Sequence, residues 1–284
     1  MQILRFILIF LHYRVMLSAV IIMSDLFSRY VNSDKISFKH AKGISDRSGK
    51  EFHLFHEIIL FLGGDAELVS ETVHTKLKPQ TLIVIPKETY HQVIINGKQD
   101  EYCRCVFQFY EDENNKALIE SSMHELFITE SDKNTYFLFS KMMQLAKNSN
   151  KGFAVNVAEA VLTLLLNEIR AKKSVEIDTD LNDALTKQAI EYINERLTDN
   201  FNIEDISQHL NVSPSTLMHT FKKNMNIPIH KYIIKKRLIL AHSKISKGEP
   251  SSVASVECGF NDYSGFYRQY KKMFDISPST HTRK

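Results

Sequence analysis

The stretch CGFNDYSGFYRQYKKMFDISP, residues 258–278, decides how this chain is read. Gly259 supplies a turn, and Asn261 or Asp262 can cap a helix that follows it. Phe266 and Tyr270 stand four apart, so they share the inward face of that helix. Tyr263, Ser264, Tyr267 and Arg268 are left on the outward face, and the helix closes on Lys271-Lys272.

The same plan occurs upstream. Asn202 can cap a helix over residues 203–210, with Asp205 at the third helical position as its capping-box partner. Ile206 and Leu210 supply the inner side. After a turn at Asn211-Val212, Ser213-Pro214 restarts a helix, because Ser caps and Pro is preorganised for the first helical position. Leu217 and Phe221 point inward; Ser215, Met218, His219 and Lys222 point outward. The triplets Phe221-Lys222-Lys223 and Tyr270-Lys271-Lys272 lie 49 residues apart in equivalent places. Two short helices with a tight turn between them, the second polar outside, form the geometry that seats a helix in the major groove of DNA. The four lysines suit phosphate contacts, which position a protein without reading bases. Residues 229–247 (IHKYIIKKRLILAHSKISK) read as one long helix between the units, stopped at Gly248. Rigidly joined, the units fit successive major-groove segments on one face of the duplex.

Charge supports this division of labour. From residue 201 onward there are thirteen Lys and Arg against six Asp and Glu, a net +7, so the remainder carries −4 of the overall +3. A basic end on a mildly acidic body suits a polyanionic partner. At 284 residues, 43% hydrophobic and 24% charged, the chain has the length for two domains and the apolar content for real cores. Three cysteines make neither a disulfide framework nor a four-thiolate zinc site, and the odd count fits a reducing compartment.

Residues 184–284 resemble the DNA-binding domain of the AraC family along their whole length. FKK at 221–223, RLILA at 237–241, ECGF at 257–260 and DISP at 275–278 fall in that family's order and spacing. The resemblance implies a seven-helix domain with two helix-turn-helix units, regulation of transcription initiation (activation more than repression), contact with RNA polymerase and a homodimer. The chain departs from the pattern where the glycine after each lysine pair is replaced by Asn226 and Asp275, two residue types that tolerate a left-handed backbone. Ser251, Ala254 and Ser255 replace a more apolar run before ECGF, which predicts a looser first helix in the second unit.

The preceding part reads differently. Residues 36–110 contain strand-like runs, HEIILFL (56–62), TLIVIP (81–86), HQVII (91–95) and CRCVFQF (103–109), separated by turn formers, with Asn96-Gly97 as a hairpin signal. Several short strands predict a small antiparallel barrel or sandwich. Residues 134–148 and 153–171 have helical spacing; Val157, Val161, Leu164, Leu165 and Ile169, broadened by Leu162 and Leu166, form a stripe on the second helix. This helical hairpin is the predicted dimer contact. The polar run 172–182 reads as a linker.

The segment 53–92 also resembles the cupin-like sensor half of the same family, through its His-Glu-Ile start and the Pro86-to-His91 element. His53, Glu57 and His91 are the candidate ligand-binding residues for a small-molecule effector. A metal-dependent cupin enzyme fused to a DNA-binding tail is the alternative. Spacing argues against it: His53 and His56, three apart, face opposite sides of a strand, and Glu51 stands where the family's first histidine would be. The reading is therefore a non-enzyme with no cofactor and no metal.

The expected fold is α+β in two domains: a cupin-like β-barrel with a helical hairpin over 24–171, and an all-α domain over 183–284. Residues 1–23 are an apolar extension interrupted by Arg5, His12 and Arg14. We read them as upstream of a true start at Met16 or Met23, in a cytoplasmic protein; a membrane anchor or a signal peptide are the alternatives.

Overall fold

The computed structural model describes residues 28–43, 52–123, 125–147, 151–172 and 183–279. The extension 1–23 lies outside these residues, as does the linker 172–182 beyond Lys172. The chain divides into two compact units, one drawn from Met1–Leu68 and Lys76–Ile177, the other from Val69–Thr75 and Asp178–Lys284.

The first unit is sheet-rich. Strands β1 (Ser28–Asn32), β2 (Ile36–Lys42), β8 (Cys103–Phe109), β3 (His56–Gly63), β6 (Thr81–Ile85) and β9 (Phe127–Glu130) lie side by side in that order. A three-stranded sheet has the order β5 (His74–Lys76), β4 (Ala66–Ser70), β7 (His91–Ile95). The β-branched and aromatic runs picked out in the sequence are β3, β6, β7 and β8. Strand alternation sorts their side chains. Phe38, Ile58, Leu60, Leu82, Val84, Cys105, Phe107 and Phe109 form one buried cluster with Phe139, Met142, Ala158, Val161, Leu162, Leu165, Leu166 and Ile169. These last come from α2 (Lys133–Lys147) and α3 (Lys151–Ala171), which follow the short α1 (Lys116–Ser122). The helices thus cover one face of the large sheet. Glu57 and its cross-strand partners Ile85 and Gln108 occupy intervening positions and belong to the other face.

Two local expectations are corrected. Asn96-Gly97 is no two-residue hairpin: both backbone N–H groups donate to the Asp65 carbonyl at 2.9 and 3.2 Å, and the chain leaves β7 in one sheet for β8 in the other. Leu164 is 54% exposed, while Leu162, Leu165 and Leu166 are buried. The inner face of α3 runs through 158, 162, 165 and 169 at steps of four, three and four, and Leu164 falls beside it.

From Asp183 onward the described part of the second unit is helical apart from its turns: α4 (Ala184–Glu195), α5 (Ile203–His209), α6 (Pro214–Met225), α7 (Ile229–Ser246), α8 (Ser251–Glu257) and α9 (Tyr263–Phe274). That is six helices among the described residues, where the resemblance implied seven. Local chemistry sets their ends. Asn202 and Asp205 form the full reciprocal capping box, Ser213 accepts from Thr216 N–H with Pro214 following, and Asp262 accepts from the N–H groups of Ser264 and Gly265. Helix α7 ends at Ser246, with Gly248 at φ 98°.

Candidate functional site

The two helical hairpins of the second unit are built alike, bond for bond. In the first, Leu210 N–H donates to the Ile206 carbonyl and Val212 N–H to the Ser207 carbonyl. In the second, Cys258 N–H donates to Ala254 and Phe260 N–H to Ser255, 48 positions on in each case. The turn residues Asn211 and Gly259 both take left-handed backbone, φ 54° and 78°. The looser helix expected at 251–255 is instead a regular α8: Ala254 and Ser255 are buried, and the Ser255 hydroxyl donates to the Ser252 carbonyl, as Ser207 does to Glu204. A small buried residue with its hydroxyl satisfied inside its own helix lets the second helix pack close.

The second helix of each hairpin carries the candidate DNA face. Leu217, Phe221, Phe266 and Tyr270 are completely buried, each contributing about 1.5–3 kcal/mol of apolar burial. Opposite them, Ser215, Met218, His219, Lys222 and Lys223 on α6 are exposed, as are Tyr263, Ser264, Arg268, Lys271 and Lys272 on α9. Tyr267 is half-buried, and the Tyr263 hydroxyl is bonded to Ser251 Oγ at 2.8 Å, which ties the start of α9 to the start of α8.

A motif residue to which the sequence reading gave no role fixes these hairpins. Arg237, on α7, donates through Nε to the Leu197 carbonyl at 2.8 Å, through Nη1 to Gly259 at 2.8 Å and through Nη2 to Asp199 at 2.7 Å. One guanidinium thereby joins the α4–α5 connection to the turn of the second hairpin. Nearby, His242 Nδ1 and the Tyr270 hydroxyl are bonded at 2.6 Å in the core, and burial holds the phenol well above its usual range.

In the first unit, His53, Glu57 and His91 come together on the sheet face away from the helices, each 7% exposed. Glu57 Oε2 lies 3.6 Å from His53 Nε2 and 3.5 Å from His91 Nε2. The far side of every member is anchored: His53 Nδ1 on the Phe55 carbonyl at 2.7 Å, His91 Nδ1 on the Thr89 carbonyl at 3.1 Å, and Glu57 Oε1 by the Gln108 amide at 2.7 Å. Burial pushes the Glu57 carboxyl up; the facing His53 and His91 overcome this and hold it well below the usual carboxylate range. Among the described residues these three form the one group of His, Cys and acidic side chains placed to hold a metal ion. His56 diverges, as alternation requires: it stacks on Phe109 and bonds Glu111 at 3.1 Å. The spacing argument against a grouped site treated 53–57 as one strand, but β3 begins at His56 and His53 belongs to the segment before it. Gln108 was equally out of reach, because its place opposite Glu57 depends on a register that local sequence does not reveal.

Comparison with known proteins supplies the context. A helix-turn-helix domain family matches residues 206–284. The arabinose operon regulatory protein of Escherichia coli is 28% identical over 146 residues, half of each chain. The Msm operon regulatory protein of Streptococcus mutans is 24% identical over 269 residues, covering 90% of this chain and 91% of that one. The chain thus matches about half the length of the first relative and nearly all of the second. Among solved structures, apo ToxT from Vibrio cholerae aligns over 89% of this chain and 98% of its own at 14% identity, with a TM-score of 0.40.

Proposed function

We propose, from the premise that this chain belongs to the AraC family of transcriptional regulators, that it is a sequence-specific DNA-binding regulator that responds to a small effector. The observation that carries this reading is the pair of matching hairpins, each presenting a polar helix that ends in two exposed lysines. Lys222, Lys223, Lys271 and Lys272 contact phosphates, while Ser215, Met218, His219, Tyr263, Ser264, Tyr267 and Arg268 face the groove. Arg268 is the strongest base reader of this set, since a guanidinium can bond guanine through two donors at once.

On this reading the chain carries an effector and dimerisation domain over 24–171, a linker at 172–182 and a DNA-binding domain over 183–284. His53, Glu57 and His91 are the effector site. The copies pair through the α2–α3 hairpin, on which Phe137, Phe153 and Leu164 are exposed. The regulator acts in the cytoplasm, without catalysis, and activates transcription through RNA polymerase. The test is titration of the full chain with duplexes from upstream of its own and neighbouring genes, against unrelated duplex, at two salt concentrations. Specific affinity well above the nonspecific level, falling steeply with salt, is the expected result; equal binding to all duplexes would remove the specificity claim.

A further inference from the structure

We propose that His53, Glu57 and His91 form a binding site for a divalent transition-metal ion of the zinc type, held by the two Nε2 atoms and Glu57 Oε2. This deepens the effector-site reading and rests on it only for the consequence in transcription; the site itself is judged by metal binding.

Three observations converge. The first is tautomeric. Each histidine gives its Nδ1 proton to a backbone carbonyl, Phe55 for one and Thr89 for the other, which leaves each Nε2, facing the same carboxylate oxygen, as the ring atom that offers a lone pair when the imidazole is neutral. In that neutral tautomer two imidazole lone pairs and a carboxylate oxygen face one another, an arrangement that a cation among them stabilises. The second is distance. A protonated histidine closes on a carboxylate to about 2.8 Å. Here the separations are 3.6 and 3.5 Å, against the edge of about 3.4 Å that a tetrahedral zinc centre imposes on its donors. All three donor atoms lie within 4.8 Å of one another. The point equidistant from them is no more than about 2.4 Å from each, so a few tenths of an ångström of side-chain movement brings ordinary bond lengths. The third is burial: His53 Nε2 is sealed from solvent with no hydrogen-bond partner, a condition that coordination removes.

The supporting shell is that of a metal site. Carbonyls orient both imidazoles, and Gln108 fixes the second oxygen of Glu57, so each donor is held by a group that does not itself ligate. Two nitrogens and one oxygen favour a borderline ion over calcium or magnesium, which prefer oxygen alone. Three protein ligands leave one tetrahedral position for water or a small oxygen donor.

The test uses the full chain, stripped with a chelator and dialysed against zinc or cobalt(II), with bound metal quantified by mass spectrometry and the cobalt form examined by visible absorption. Wild type should hold one ion that Glu57→Gln and His91→Gln bind at least about 10-fold more weakly, with loss of the tetrahedral cobalt bands. His230→Gln, which removes an exposed histidine far along the chain, should match wild type. If either site variant fails to fold, Gln108→Leu, which leaves all three ligands in place, should lower affinity about 10- to 100-fold. Failure of wild type to hold a stoichiometric ion, or equal binding by the site variants, would overturn the proposal. Neither result depends on DNA binding, so the regulator reading is judged separately.

Discussion

Asn226 and Asp275, 49 positions apart, end the two recognition helices in the same left-handed backbone conformation, with φ of 52° and 60°. Each stands where the family pattern has glycine. A side chain with a Cβ is strained there, and short amides and carboxylates bear that strain best. Each Ala substitution at these positions should therefore cost about 1 kcal/mol, while each Gly substitution should leave stability within a few tenths of a kcal/mol. Thermal denaturation of the four single variants checks this; Ala variants as stable as wild type would show the caps to be relaxed.

Gly259 is more constrained than either cap. Its φ is 78°, and a Cβ built there would stand 2.8 Å from Arg237 Cζ. Gly259→Ala must strain the backbone and displace the guanidinium that ties the turn to Leu197 and Asp199. A loss of roughly 2–3 kcal/mol is expected in chemical denaturation, larger than for Asn226→Ala. A smaller loss than at Asn226 would mean that Arg237 does not clamp the hairpin.

The lysine pairs should act on affinity without acting on sequence choice. On the proposed reading Lys222→Ala and Lys271→Ala each remove one phosphate contact, so each should weaken binding to specific and unrelated duplexes by similar factors. Each should also lower the slope of log affinity against log salt by about 1. Unequal weakening would make that lysine a base reader.

His40 gives the first unit an acid-sensitive element. It is 2% exposed, its Nδ1 lacks a hydrogen-bond partner, and burial lowers its pKa from the ordinary 6.5. With the folded value below the unfolded one, the unfolded chain takes up the proton first. The neutral form's contribution is complete above pH 6.5 and is lost as pH falls through the folded pKa. Melting temperature should decline on acidification below pH 6.5, and His40→Gln should make that decline shallower. An unchanged slope would assign the acid sensitivity to other groups.

Much of the fold was legible because it is written locally. Asn202, Ser213 and Asp262 announce helix starts by side-chain chemistry, and the Leu217/Phe221 and Phe266/Tyr270 spacings declare which face is buried. Strands β3, β6, β7 and β8 followed from their β-branched runs. What escaped was tertiary. Asn96-Gly97 has hairpin chemistry, but Asp65 captures its backbone donors. Leu164 is as apolar as its neighbours, yet only the position of α3 on the sheet leaves it exposed. Arg237 reads as one more basic residue until its three carbonyl acceptors are placed. The family resemblance names the trio His53, Glu57 and His91, and the three do come together; periodicity alone could not supply it, because it depends on where β3 starts and on β7 lying in a different sheet.

The most direct test of the central claim is a hydroxyl-radical footprint of the full chain on its target duplex, with wild type and Arg268→Ala side by side. Two protected segments about 34 Å apart on one face of the DNA are expected for wild type, one for each hairpin. Arg268→Ala should keep its melting temperature and lose the specific footprint. A single protected segment for wild type, or an unchanged footprint for Arg268→Ala, would contradict the account of two hairpins reading successive major grooves.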